Sequence, residues 1–323
     1  MRKLLAQFLV SVPILLYGDS IDIENLPNAG IDLWKKSEQL YLSDLANSIT
    51  LGLDDDTPDH YYKLAAVELE LCDFSGALSN IQQAITIYKT SDTSINSRLS
   101  IVKARILEAR ILGFTRQYIQ AADELLSVMN ENFAICGKNS KEAARLYRHI
   151  GWHLGLCATK VTNPKELSVL NSNLVTLRYY LGQFGLALIT GETPSSILSL
   201  SQSCYKKSLS ITQATVGELH PDTAKSYSLI GYDLGKQKKY KESLETHQKA
   251  LAIRLQCSMH NNPNTARSLR HIAWCYEKLG DYSNAHNHYI AALTLMEHVL
   301  PDNCEELKQA QANFRRAETL LKD

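Results

Sequence analysis

His149 and His153 stand four residues apart in a stretch of helical pattern. On a helix both rings would share one face, where two imidazoles can begin a metal site. No Glu follows His149, so the metalloprotease signature is absent, and the two read as packed or groove-facing histidines. His286 and His288 are two apart and point to different faces. Gly231, Gly235 and Lys236 approach a phosphate-binding loop, but the spacing is one residue short and Gln237 stands where Ser or Thr should hold magnesium. No G-x-S-x-G elbow occurs. The expectation is a protein that is not an enzyme and uses no metal or cofactor.

Recognition chemistry remains. Arg148 precedes Trp152 by four residues and Arg270 precedes Trp274 by four, so each pair shares a helix face. Arg can fork to a carboxylate through two hydrogen bonds. Trp offers flat apolar area of the kind enriched at binding hot spots. Each Trp directly follows a small residue, Gly151 or Ala273. One residue is about 100° of helix, which turns the ring away from the face that packs in the hairpin.

The elements that position these residues repeat. The line starting at His220, HPDTAKSYSLIGYDLGKQKKYKESLETHQKALAIRLQ, returns 42 residues later as NPNTARSLRHIAWCYEKLGDYSNAHNHYIAALTLMEH. Such a fixed period marks stacked repeats. In the second line Leu269, Ile272, Ala273, Tyr276 and Leu279 form one helical stripe. Tyr282, Ala285, Tyr289, Ala292, Leu293 and Met296 form another, with Gly280-Asp281 between them. Each line is therefore a helical hairpin, with Ala273 and Ala285 small where the two helices approach.

This pattern resembles the tetratricopeptide repeat, carried here by Ala273, Ala285, Tyr276, Tyr282 and Tyr289. The 42-residue period and the HPDTA and ALAIR strings are similar to the kinesin-light-chain subtype. The resemblance is strong over residues 195–300 and fades upstream. It implies an all-α, right-handed superhelical solenoid of helical hairpins whose first helices line a concave surface. Carried position by position onto this chain, the family's ligand-contacting places fall on Lys103 and Arg110; on Arg145, Arg148 and Trp152; on Lys225 and Tyr232; and on Arg267, Arg270 and Trp274. The resemblance thus implies a basic, aromatic groove for a protein or peptide partner of acidic and aromatic character, the grooves of kinesin light chains being similar in this respect.

Taken in order, residues 1–57 are expected to hold an apolar segment and a capping helix from Ile31 to about Ile49. Residues 58–300 are expected to form about six repeats, and 301–323 a charged C-terminal cap. The string DFSGALSNIQQAI matches DYSNAHNHYIAAL 208 residues later, about five periods. LYRHIGWHLG aligns with SYSLIGYDLG and SLRHIAWCYE. Register blurs from Val161 to Pro194, where a fourth repeat with a degenerate first helix is expected.

Thirty-four Lys plus Arg balance 34 Asp plus Glu, so no net charge argues for nucleic acid. No apolar run is long enough to span a bilayer. Seven scattered cysteines without a CxxC pair fit reduced thiols and a cytoplasmic location. The run from Leu4 to Tyr17 after Arg2 and Lys3 keeps export as a weaker alternative. Two functions compete: an interaction scaffold binding a peptide or partner helix in its groove, and a regulatory sensor module of a larger signalling system, switched by ligand binding. Oligomeric state is left open.

Overall fold

The computed structural model describes residues 31–51, 56–90, 94–161, 174, 177, 194–302 and 304–321. Among them there are helices and no strands. In chain order these are α1 (Ile31–Leu51), α2 (Thr57–Glu70), α3 (Phe74–Thr90), α4 (Ile95–Phe114), α5 (Tyr118–Ser127), α6 (Met129–Cys136), α7 (Lys141–Lys160), α8 (Pro194–Val216), α9 (Pro221–Lys236), α10 (Tyr240–Gln256), α11 (Pro263–Lys278), α12 (Tyr282–Val299) and α13 (Glu305–Leu320). Helices α9 and α11 start 42 residues apart, as do α10 and α12.

Local sequence sets these boundaries. Ser140 Oγ accepts from the Ala143 N–H at 3.0 Å to start α7, and Asn262 Oδ1 accepts from the Asn264 N–H at 2.8 Å to start α11. At the equivalent place before α9, His220 Nδ1 accepts from the Asp222 N–H at 3.1 Å. Pro221 and Pro263 occupy the first turn, where a missing N–H costs nothing. The hairpin turns share one device, a left-handed residue after the first helix: Cys72, Arg116, Lys238 and Gly280, with φ of 64°, 67°, 63° and 81°. An aromatic residue follows each two positions later: Phe74, Tyr118, Tyr240 and Tyr282.

Hairpins form where small residues let helices approach. Ala273 and Ala285 are both buried, with Tyr289 beside them in one cluster. The same logic corrects the expected register between repeats three and five. Helix α7 packs directly on α8, across the intervening segment. A Cβ on Gly151 of α7 would lie 2.7 Å from the Tyr205 ring and 3.0 Å from the Ser201 carbonyl oxygen of α8. Tyr205 is the equivalent of Tyr289 two periods earlier. Thus α7 and α8 are the two helices of one repeat, whereas the sequence pattern puts them in separate ones. The described residues hold five such pairings (α2/α3, α4/α5, α7/α8, α9/α10 and α11/α12), flanked by α1 and α13. The expected irregularity from Val161 to Pro194 and the apolar run of residues 1–30 lie outside the described residues, apart from buried Leu174 and Leu177.

Gly151→Ala tests the α7/α8 pairing. Alanine gains about 1 kcal/mol of helix propensity over glycine. Here its methyl meets a buried ring and a backbone oxygen that cannot give way, so a net loss of about 1–3 kcal/mol is expected. A thermal melt equal to the parent's would contradict the pairing.

Apolar burial continues from one repeat to the next. One cluster runs from Val102 through Phe133 and Tyr147 to Ile211. A second contains Trp34, Leu64 and Ile81 together with Leu295, Leu300 and Leu307, so it joins the first hairpin to the C-terminal cap.

Candidate functional site

The first helices α2, α4, α7, α9 and α11 stand side by side, each touching the next. The residues singled out from sequence are distributed along this row, and neighbouring repeats seat them in a regular way. Trp152 lies over Gly113 of the preceding first helix, and Trp274 lies over Gly235 of its own predecessor. A Cβ would come within 3.3 Å and 2.5 Å of the respective indoles. In both cases the glycine is 39 residues upstream. At Gly235 the missing side chain seats the next repeat's indole; at Gly113 it makes room first for the His153 ring, the nearest group to such a Cβ, and then for the indole, and each Trp is half-buried.

The cations are mostly matched by carboxylates of adjacent elements. Arg110 Nη2 is 3.1 Å from Glu70 of α2. Arg148 is only 5% exposed; its Nη2 is 2.9 Å from Asp222 Oδ1 and its Nη1 is 3.5 Å from Ser208 Oγ. Burial opposes charge on Asp222, yet Arg148, with Lys225 and Arg145, outweighs it and holds the carboxyl down at about 2. Lys225 Nζ stands 3.8 Å from the same carboxylate, and burial pulls its ammonium below the ordinary value. Arg267 Nε reaches both oxygens of Glu306 at 3.0 and 2.9 Å, and Arg270 Nη2 adds a contact at 3.5 Å. Arg145 is half-buried and Lys103 is exposed. The Lys236 ammonium sits 5.1 Å above the half-buried Tyr232 ring, whose edge faces His271 at 5.9 Å.

The row therefore presents less free positive charge than the residue types alone imply. It presents more aromatic surface. Phe74 and Phe114 stack with centroids 5.4 Å apart and planes within 4°, and Phe114 meets Trp152 at 5.4 Å. Three successive repeats contribute one ring each, and Phe114 is 47% exposed. Sequence reasoning missed Phe74 and Phe114. The available signal was an apolar residue at the last position of a first helix or the first of a second, where it cannot reach the hairpin core.

The alternative chemistries resolve into packing. Gly231, Gly235 and Lys236 all lie inside helix α9. His153 is fully buried beside Gly113 and Trp152. His286 faces Phe314 and His288 faces Tyr276, on different sides of α12. Among the described residues no cluster of three or more His, Cys, Asp or Glu side chains could hold a metal, and no helix is long and apolar enough to cross a membrane.

The tetratricopeptide-repeat family matches residues 199–256 and 222–298, across α8 to α12. Residues 199–298 are tetratricopeptide repeats. Their 42-residue spacing resembles the kinesin-light-chain type. No curated protein matches the sequence. Among solved structures, the chain is similar to BtubC (BKLC) from P. vanneervenii at 14% identity and a TM-score of 0.51, covering 84% of this chain and 95% of that one. It is also similar to a Podosopora anserina putative kinesin light chain with nearly identical TPR-like repeats, at 11% identity and a TM-score of 0.43, covering 68% and 87%. A third likeness is to the apo form of RapI, at 12% identity and a TM-score of 0.45, covering 94% and 99%. The BtubC likeness supports the repeat fold alone. Tetratricopeptide solenoids are scaffolds for protein–protein contacts, and this chain has that architecture.

Proposed function

We propose that this tetratricopeptide array is a non-catalytic adaptor that takes a peptide or partner helix along its row of first helices. The partner inserts an aromatic or apolar side chain against the Phe74–Phe114–Trp152 ladder. The ladder supports this reading because Phe114, stacked on Phe74 and tilted against Trp152, is left 47% exposed between them. Aromatic surface held rigidly on helices is also the composition of interface hot spots. Lys103, Lys225, Tyr232 and Trp274 extend the surface along the row. Arg110, Arg148, Arg267 and Arg270 act chiefly by holding neighbouring helices in register, and acidic residues of a partner compete with Glu70 for Arg110 and with Glu306 for Arg267 and Arg270.

The test is binding of labelled peptides that carry acidic residues around one aromatic, compared with versions in which the aromatic is alanine or the acids are amides. Phe114→Ala should leave the thermal melt unchanged and weaken binding by about 2 kcal/mol, roughly thirtyfold. Trp152→Phe should weaken it less. Parent-like binding by both variants would overturn the assignment.

A further inference from the structure

The two ends of the array meet at a pair of thiols. Cys72, in the turn between α2 and α3, and Cys304, the residue before α13, are 232 positions apart in the chain. Their sulfurs are 3.0 Å apart, the Cys72 S–H donating to Cys304, and both cysteines are free. The junction is wider than the two sulfurs. Leu64 and Leu69 of the first hairpin share one buried cluster with Leu300 and Leu307 of the C-terminal end. Arg267, which grips Glu306 of α13, also lies within electrostatic reach of Glu70 at the end of α2. Nothing in the turn geometry calls for a thiol, since the equivalent left-handed places hold Arg116, Lys238 and Gly280.

We infer that Cys72 and Cys304 are a site of reversible oxidation, at which a small-molecule disulfide of the glutathione class links the first hairpin to the C-terminal helix. A protein disulfide needs sulfurs about 2 Å apart, so the pair has about 1 Å left to close. Cys72 is half-buried and Cys304 only 6% exposed, so Cys72 is the attacking sulfur and Cys304 the resolving one. The proton shared by the pair passes to Cys304, and the Cys72 thiolate attacks one sulfur of the small disulfide, breaks that S–S bond and expels one glutathione thiolate, leaving glutathione on Cys72. Cys304 is held below the ordinary thiol value by its bond from Cys72 and, against the effect of burial, by the Glu306 and Leu307 backbone N–H groups at the start of α13. It then gives up its proton, attacks the Cys72 sulfur and expels the second glutathione. Two protein thiols are oxidised, one small disulfide is reduced to two thiols, and both protons finish on the released glutathiones. The product closes the array into a covalent ring and fixes the relative positions of α2 and α13.

The full-length chain is equilibrated with graded ratios of reduced to oxidised glutathione, quenched with acid, and its disulfides are mapped by mass spectrometry without reduction. The Cys72–Cys304 linked peptide should form before any other pairing, at roughly tenfold or greater excess. Cys304→Ser should abolish it and trap glutathione on Cys72. Cys72→Ser should abolish it too. The preference should vanish in concentrated urea, where the fold no longer holds the sulfurs together. Any of three results would overturn the inference: thiols still reduced in fully oxidised glutathione, a different pairing forming first, or the same preference in the unfolded chain.

Discussion

Arg148→Ala should destabilise the protein by about 3–5 kcal/mol, the typical cost of removing one partner from a buried ion pair. The guanidinium of Arg148 spans two repeats, reaching from α7 to Asp222 in the first turn of α9 and to Ser208 on α8. Both members of the pair are buried, with 6% and 7% of their side chains exposed. Removing the arginine leaves the Asp222 carboxylate in a low-dielectric place with Lys225 at 3.8 Å, the His220 ring at 3.8 Å and the field of Arg145, which places the loss toward the lower end of the range. Asp222→Asn in the Arg148→Met background should recover most of the loss, because a neutral pair of similar volume carries no uncompensated charge. Urea unfolding of the two single variants and the double variant measures this. The same set separates two roles for Arg148. A groove residue would leave stability intact and weaken peptide binding, whereas a clamp between repeats does the reverse.

Asp233→Asn should stabilise the protein at pH 8 by about 2–4 kcal/mol, with the gain shrinking to nothing near pH 4. Asp233 is 2% exposed. Burial pushes its carboxyl up from 3.8 to about 7, against smaller lowering effects of Ser201 and Lys236. The hydrogen bonds fit a neutral acid. Ser201 has one hydroxyl proton and two acceptors, the Gly151 carbonyl at 2.8 Å and Asp233 Oδ2 at 3.2 Å. If the hydroxyl serves the carbonyl, a protonated Asp233 can donate to the hydroxyl oxygen and satisfy all three groups. An Asn amide donates in the same way and never ionises. Between about pH 4 and 7 the folded parent keeps a proton that the unfolded chain has released, so parental stability falls as pH rises through this window and levels off above it. A tenfold change in proton affinity corresponds to about 1.4 kcal/mol, so the rise from 3.8 to about 7 sets the upper limit of the gain. Unfolding free energies of parent and variant measured from pH 4 to 8 check this. A constant difference between them would show that Asp233 is ionised throughout.

Those two side chains show where sequence reading reaches its limit. The 42-residue offset, the small residues at Ala273 and Ala285, and the proline and N-cap signals at Pro221, Asn262 and Pro263 are local or strictly periodic. They specified helices, hairpins and stacking before any coordinates, because helix period and turn chemistry depend on near neighbours in the chain. Trp152 and Trp274, aligned by the same register argument, are both half-buried.

Charge is different. Arg148 looked like a groove cation because its spacing from Trp152 is helical, but its role depends on Asp222, 74 residues away. Arg267 depends on Glu306 in the cap, 39 residues on. An ionisable side chain takes its meaning from whichever group ends up within a few ångströms of it, and that is a matter of how repeats stack. The pairing of α7 with α8 across a long intervening segment, the meeting of Phe74, Phe114 and Trp152 and the approach of Cys72 to Cys304 are of the same kind. The sequence by itself determined that this chain is a solenoid of helical hairpins and where the helices of its periodic part start and turn. Only the tertiary structure decided which cations are already matched, which rings meet, and that the first and last elements touch, because each of these is a contact between different repeats and depends on how they pack.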